Sequence, residues 1–88
     1  EQSEEDKSSL LILSNPVIDQ LEFIIKSDLT MEELQVFIID SQGKVLISQR
    51  QAPSGRISLG LSGLSASKYI VSVKQGRRII GTKSFSKF

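Results

Sequence analysis

The stretch from Leu64 to Val73 constrains the fold of this 88-residue chain more than any other part of the sequence. From Tyr69 onward apolar and polar residues alternate, so that Tyr69, Val71 and Val73 share one side of the backbone. Because side chains of a strand point alternately to opposite faces, this period of two predicts a β-strand with one buried face. We therefore expect a strand that packs on a core through its odd-numbered side chains.

Leu64 stands five residues before Tyr69 and is separated from it by small residues that favour a turn. A Leu, a short turn and a Tyr that opens an alternating strand are typical of the tyrosine corner of immunoglobulin-like sandwiches. In that corner the ring packs at the end of the sandwich and the hydroxyl bonds to backbone a few residues upstream. We predict this structural role for Leu64 and Tyr69. The simpler alternative is that Tyr69 is only a half-buried aromatic residue of a strand.

Similar alternating segments run through the rest of the chain and are separated by residues that favour turns, as at 40–43, 52–55 and 75–77. About seven short strands with such turns between them predict an all-β, immunoglobulin-like antiparallel β-sandwich. The alternation predicts the following core residues: Leu21, Phe23, Ile25, Val36, Ile38, Ile57, Leu59, Leu64, Tyr69, Val71 and Val73.

The first eight residues differ from the rest, because they are polar, rich in acids and free of apolar side chains. A segment of this composition has nothing to bury, so we expect residues 1–8 to be a disordered acidic leader or linker. Residues 9–88 are expected to form one β-sandwich domain. Since the first residue is Glu rather than Met, we also expect the chain to be a processed or excised segment.

Charge divides sharply along the chain. Residues 1–40 hold all ten acids and two lysines, a net charge of −8, whereas residues 41–88 hold nine Lys or Arg and no acid. Such a division can mark a protein that binds nucleic acid or an anionic surface. We favour the alternative that strands from the two halves interleave in one sandwich, so that their charges pair across strands.

Several function classes lack the residues that they require. The chain has neither Cys nor His, so it offers no disulfide, no thiolate ligand and no imidazole base for its serines. Its glycines match no phosphate-binding pattern, and its basic half has few aromatic residues for stacking nucleic-acid bases. No apolar run exceeds four residues, which is too short to span a membrane. We therefore predict a protein without enzyme activity, catalytic residues, cofactor, metal site or nucleic-acid partner.

One predicted strand, residues 34–40, is apolar on both faces. Val36 and Ile38 continue the inward face, whereas Phe37 and Ile39 fall on the other side. Exposed apolar patches often mark interfaces, and we predict Phe37 and Ile39 as a contact surface for a weak homodimer. The alternative is that a second sheet packs over this pair.

Several features, taken in order, resemble one family. They are Asn15-Pro16-Val17, Asp19-x-Leu21-x-Phe23, Val36-x-Ile38-x-Asp40-x-x-Gly43-Lys44, Ile57-x-Leu59, Leu64, Tyr69-Ile70-Val71-x-Val73, Gly76 and Lys83-x-Phe85-x-Lys87. The ordered set is similar to the type A C-terminal sorting domain of the type IX secretion system, the Por secretion tail family. The resemblance covers residues 11–88.

The resemblance implies a seven-stranded immunoglobulin-like sandwich at the end of exported proteins. Such a domain is recognised by an outer-membrane translocon and removed from its N-terminal cargo by a sortase-like peptidase. It passes through the periplasm to the cell surface or the medium, and the acidic leader would be the linker that is cleaved. Carried over by position, the translocon-recognition residues are Asn15, Pro16, Gly43, Lys83, Phe85 and Lys87. The alternative function is that of a small stand-alone secreted immunoglobulin-like module for adhesion or structure.

Overall fold

A computed structural model describes residues 9–14 and 16–88, which form seven β-strands in two antiparallel sheets. The strands are β1 (Leu10–Ile12), β2 (Gln20–Ile25), β3 (Leu34–Ile39), β4 (Val45–Gln51), β5 (Arg56–Gly60), β6 (Ser67–Gln75) and β7 (Arg78–Lys87). One sheet has the order β1-β2-β5 and the other the order β4-β3-β6-β7. The predicted all-β sandwich is therefore confirmed. In the described part of the chain, no helix is long and apolar enough to cross a bilayer.

The core lies between the two sheets and is built from alternate side chains of each strand. All of the predicted core residues are buried except Leu64, which is half-buried and packs against the core. The structure adds six buried apolar residues to the prediction: Leu10, Val17, Leu34, Leu61, Ile80 and Phe85. Most of these additions lie at strand ends or on β7, where the simple alternation is weakest.

Ile80 is buried because the pairing of β6 with β7 contains a bulge. Val73 pairs with Gly81 and Lys74 pairs with Ile79, so Ile80 is an extra residue with no direct partner in the ladder. Without the bulge, the alternation that begins at the buried Phe85 and runs back along β7 would turn Ile79 inward instead of Ile80. Ile79 is 63% exposed, so the bulge exchanges which of the two isoleucines enters the core.

The sheet order explains the division of charge along the sequence. β2 of the acidic half pairs with β5 of the basic half, and β3 lies between β4 and β6. The predicted interleaving of the two halves is therefore confirmed. Between described residues, however, only Glu22 and Arg56 form an ion pair, at 3.5 Å on the surface. An exposed pair of this kind contributes about 0–1 kcal/mol, so the interleaving disperses charge more than it stabilises the fold.

Gln75 is buried, 3% exposed, at the end of β6. Its Oε1 accepts a hydrogen bond from the Thr30 backbone N–H at 3.0 Å. Its Nε2 donates to the carbonyl oxygens of Thr30 and Glu32, at 3.1 and 2.8 Å. Because these backbone groups belong to the connection between β2 and β3, one side chain ties that connection to the β6–β7 hairpin.

We expect Gln75→Leu to lower the free energy of unfolding by about 1–3 kcal/mol, because it leaves backbone groups of Thr30 and Glu32 without partners. Gln20→Leu is the matched control, since Gln20 is exposed on β2 and substitutions at such positions usually change stability by about 0.5 kcal/mol or less. Urea denaturation of both variants makes the comparison. Equal effects of the two substitutions would show that the Gln75 hydrogen bonds do not hold the connection.

Candidate recognition surface

Tyr69 joins the connection between β5 and β6 to strand β7. Its hydroxyl donates a hydrogen bond to the carbonyl oxygen of Ser65 at 2.6 Å, four residues upstream, as expected of a tyrosine corner. Its ring packs on Phe85 with the centroids 5.9 Å apart and the planes tilted by 35°. The Leu64 N–H donates to the Leu61 carbonyl at 3.1 Å, so the turn before the strand is closed by backbone as well.

We expect Tyr69→Phe to lower the free energy of unfolding by about 0.5–1.5 kcal/mol, the usual net contribution of one hydrogen bond. Ser62→Ala is the control, because Ser62 is exposed in the same connection, whereas the Ser65 hydroxyl lies 3.5 Å from the Tyr69 hydroxyl. Thermal or urea unfolding measures both. A Tyr69→Phe variant as stable as the wild type would show that the corner does not depend on the hydroxyl.

Gly43 closes the hairpin between β3 and β4. Its φ is +87°, a conformation that favours glycine, and its N–H donates to the Asp40 carbonyl at 3.0 Å. The Asp40 carboxylate accepts from the N–H groups of Gln42 and Lys44, each at 2.9 Å. Asp40 pairs with Lys44 through its N–H, so residues 41–43 form a three-residue loop. Such a loop with a left-handed third residue is a common hairpin closure. Gly43 therefore has a structural reason to be present, independent of any partner.

The register of the large sheet places this hairpin at the end where β7 finishes. Ile39, the last residue of β3, pairs with Ile70, and the neighbouring Tyr69 pairs with Phe85. The hairpin residue Ser41 also lines a shallow depression with Lys68 and other residues of β6 and β7. Gly43 thus lies at the same end of the sandwich as the last residues of β7.

The chain changes sheets at Pro16. β1 pairs with β2 as far as Ile12, but Val17 forms an isolated parallel bridge with Lys87 of β7. The bridge is extended by the Phe88 N–H, which donates to the Val17 carbonyl at 2.8 Å. Proline has no N–H to donate to a ladder, which is consistent with a break in pairing here. We call residues 13, 14, 16 and 17 the crossing segment; Asn15, a predicted recognition residue, lies outside the described residues.

The crossing segment and β7 enclose a groove of about 320 Å³, which we call the edge groove. It is lined by Ile12, Ser14, Pro16 and Val17 on one side, and by residues 83–86 and Phe88 on the other. Three of the predicted recognition residues, Pro16, Lys83 and Phe85, therefore meet around one concavity. A fourth, Lys87, is joined to it by the backbone bridge to Val17.

Lys83, Phe85 and Lys87 share one side of β7, and that side turns towards the sandwich. Phe85 is 7% exposed and belongs to the core, whereas the two lysines beside it are half-buried. The exposed ring at this end is Phe88, at 69%, which sequence reasoning missed. Phe88 continues the alternation of the exposed Ser84 and Ser86 of β7. That alternation could have predicted from the sequence that the ring is exposed. Phe85 thus supports the groove mainly from the core side.

Phe37 and Ile39 lie on the outer face of the four-stranded sheet, half-buried among their neighbours. Ile39 stands between Ile70 of β6 and Val45 of β4, which makes a small apolar strip across three strands. The three-stranded sheet packs on the opposite face of β3, where every other residue is buried. The alternative that the second sheet covers this pair is therefore wrong.

The described residues show no arrangement suited to a bound ion. Within residues 9–14 and 16–88, no group of three or more acidic side chains is placed to hold a metal. In the same part of the chain, every buried polar side-chain atom has a hydrogen-bond partner. The edge groove with its lysines and the outer apolar strip are the candidate recognition features of the described surface.

Comparison with known families adds one finding. A family model described as a secretion system C-terminal sorting domain matches residues 12–86. This range contains the crossing segment, the Gly43 hairpin, the Tyr69 corner and nearly all of β7. No curated protein and no solved structure matches the chain.

Proposed function

The chain belongs to the family of secretion system C-terminal sorting domains, which serve the type IX secretion system, and on that premise we propose that it directs an attached N-terminal cargo across the outer membrane. In this role an outer-membrane translocon recognises the domain, and a sortase-like peptidase then separates it from the cargo. The domain acts as a signal and a substrate, not as an enzyme. Its route leads through the periplasm to the cell surface or the medium.

The family match over residues 12–86 is the observation that carries this proposal. The geometry supports it, because the positions that resemble the family motifs are far apart in sequence and close in space. Pro16 and Lys83 line the same groove, although 66 positions separate them. A partner that binds there recognises the folded domain rather than a linear peptide.

The positive charge at the edge groove is also suited to a protein receptor with an acidic surface. Lys83 and Lys87 lie at the edge groove, and no described residue that lines it has an acidic side chain. Complementary charge guides encounter and suppresses wrong partners. We therefore propose that Pro16, Lys83, Phe85 and Lys87, together with Asn15 and the Gly43 hairpin, form the surface that the translocon reads.

The test is a fusion of the whole chain to the C-terminus of a periplasmic reporter, in a host with a working type IX system. The wild-type fusion is expected at the surface or in the medium. The double variant Lys83→Glu/Lys87→Glu is expected to remain in the periplasm, because it reverses the charge at the groove while leaving the core intact. Deletion of the same strand end is a poorer test, since it removes the buried Phe85.

The matched control is Arg50→Glu/Arg77→Glu, which makes the same change of charge at exposed positions on β4 and in the β6–β7 turn, at the opposite end of the sheet from the groove. It should be exported like the wild type. A folded wild-type fusion that stays in the periplasm would refute the sorting function and favour a stand-alone module. Equal export of the two double variants would refute only the role of the lysines.

We further propose that Phe37 and Ile39 form a contact surface through which two copies associate weakly. Their strip with Val45 and Ile70 is an apolar patch on the outer face of the sheet, and exposed apolar patches of this kind often mark interfaces.

Phe37→Thr/Ile39→Thr should abolish concentration-dependent association while the domain stays folded, because the pair faces away from the core. Leu11→Thr/Leu13→Thr is the control, since these residues are 42% and 40% exposed at the edge of the other sheet. Sedimentation velocity over a range of protein concentrations measures the association. A wild-type chain that stays monomeric throughout that range contradicts the proposal, as does a control that dissociates equally.

A further inference from the structure

The edge groove is closed at both ends. At one end the Leu10 side chain abuts β7 so closely that a Cβ atom added to Gly81 would lie 3.0 Å from its Cγ. At the other end Val17 is bridged to Lys87. The open stretch of β7 between them, residues 83–86, is only roughly 13 Å long at about 3.3 Å per residue. This stretch is shorter than the usual strand of about 5–6 residues, so a partner that enters by a side chain suits it better than one that adds a strand.

The size and lining of the groove suit one large apolar side chain. Its volume of about 320 Å³ lies at the low end of the roughly 300–1,000 Å³ range of ligand pockets. Pro16, Val17 and Phe88 supply apolar surface, and serine residues supply hydroxyl groups at the rim. Protein interfaces commonly place an aromatic or aliphatic anchor in a pocket of this kind, and such anchors carry much of the binding energy.

The charges at the groove indicate which chemical group of the partner lies next to that anchor side chain. Of the described residues that line the groove, Lys83 has the one charged side chain, and Lys87 follows at the end bridged to Val17. Both lysines are half-buried on the sandwich-facing side of β7 and do not project from an open face. A lysine that borders a narrow groove favours a single carboxylate brought in by a protein over the flat anionic surface of a membrane.

We infer that the edge groove takes one aromatic or large aliphatic side chain of the translocon protein that reads this domain, and that Lys83 binds a carboxylate next to that side chain. The inference rests on the proposed sorting function, since it names the chemistry of the same recognition step. The Ser14 hydroxyl accepts a hydrogen bond from the Glu22 N–H at 2.8 Å, so the wall of the groove opposite β7 is held to β2.

The first experiment fills the groove in the reporter fusion. Ser86→Trp places a bulky side chain among the lining residues and should reduce the exported reporter at least tenfold. Ser58→Trp is the matched control on the exposed side of β5 and should leave export at the wild-type level. Circular dichroism and thermal unfolding of the isolated chains report whether each variant folds.

The second experiment does not depend on how well a filled groove folds. A photo-crosslinking amino acid replaces Phe88, which is exposed at the mouth of the groove, and in a parallel fusion it replaces Ser58. Irradiation of secreting cells should give a protein adduct from position 88 and none from position 58.

The outcomes separate the two proposals. A wild-type fusion that is not exported overturns the sorting function itself. Normal export of the wild type together with normal export of a folded Ser86→Trp variant overturns the groove inference alone. Adducts from position 88 that contain lipid or lipopolysaccharide and no protein also overturn it, because they would identify an anionic surface as the occupant.

Discussion

The packing of Tyr69 on Phe85 is the contact on which the recognition end of this sandwich depends. The two rings sit opposite each other in the ladder of β6 and β7, so they set the register of the strand that ends at the groove. The Tyr69 hydroxyl fixes the preceding connection through Ser65. One aromatic pair therefore positions the β5–β6 turn and the end of β7. The lysines on either side of Phe85 take their places from it.

That arrangement makes the sorting signal a property of the folded chain. Pro16 belongs to a segment that leaves one sheet and bridges to the edge of the other, and Lys83 belongs to that edge strand. Neither position is close to the other until both sheets have formed and packed. The bridge from Val17 covers part of the β7 edge, and the Leu10 side chain packs on the face of the same strand at Gly81. A covered edge resists unwanted pairing with other strands, and the groove lies between these two contacts.

The arrangement of charged residues spreads acidic and basic side chains over the sandwich more than it stabilises the fold. The sequence is acidic in its first half and basic in its second, yet the strand order places β2 beside β5 and β3 beside β4 and β6. The single exposed ion pair between described residues, Glu22 with Arg56, shows that this mixing produces few close pairs. One consequence is local: among the described residues, no acidic side chain lines the groove beside Lys83 at the end of β7.

Local patterns in the sequence determined the all-β class, most of the core, the Tyr69 corner and the Gly43 hairpin, because alternation and turn chemistry are properties of neighbouring residues. Tertiary structure alone decided which strands share a sheet, which isoleucine of β7 enters the core, and what Gln75 holds. It also turned Phe85 inward and brought Pro16 to Lys83. Each of these depends on contacts between residues far apart in sequence. The position of a bulge, of a buried amide or of a crossing between sheets is set by the segment that it pairs with.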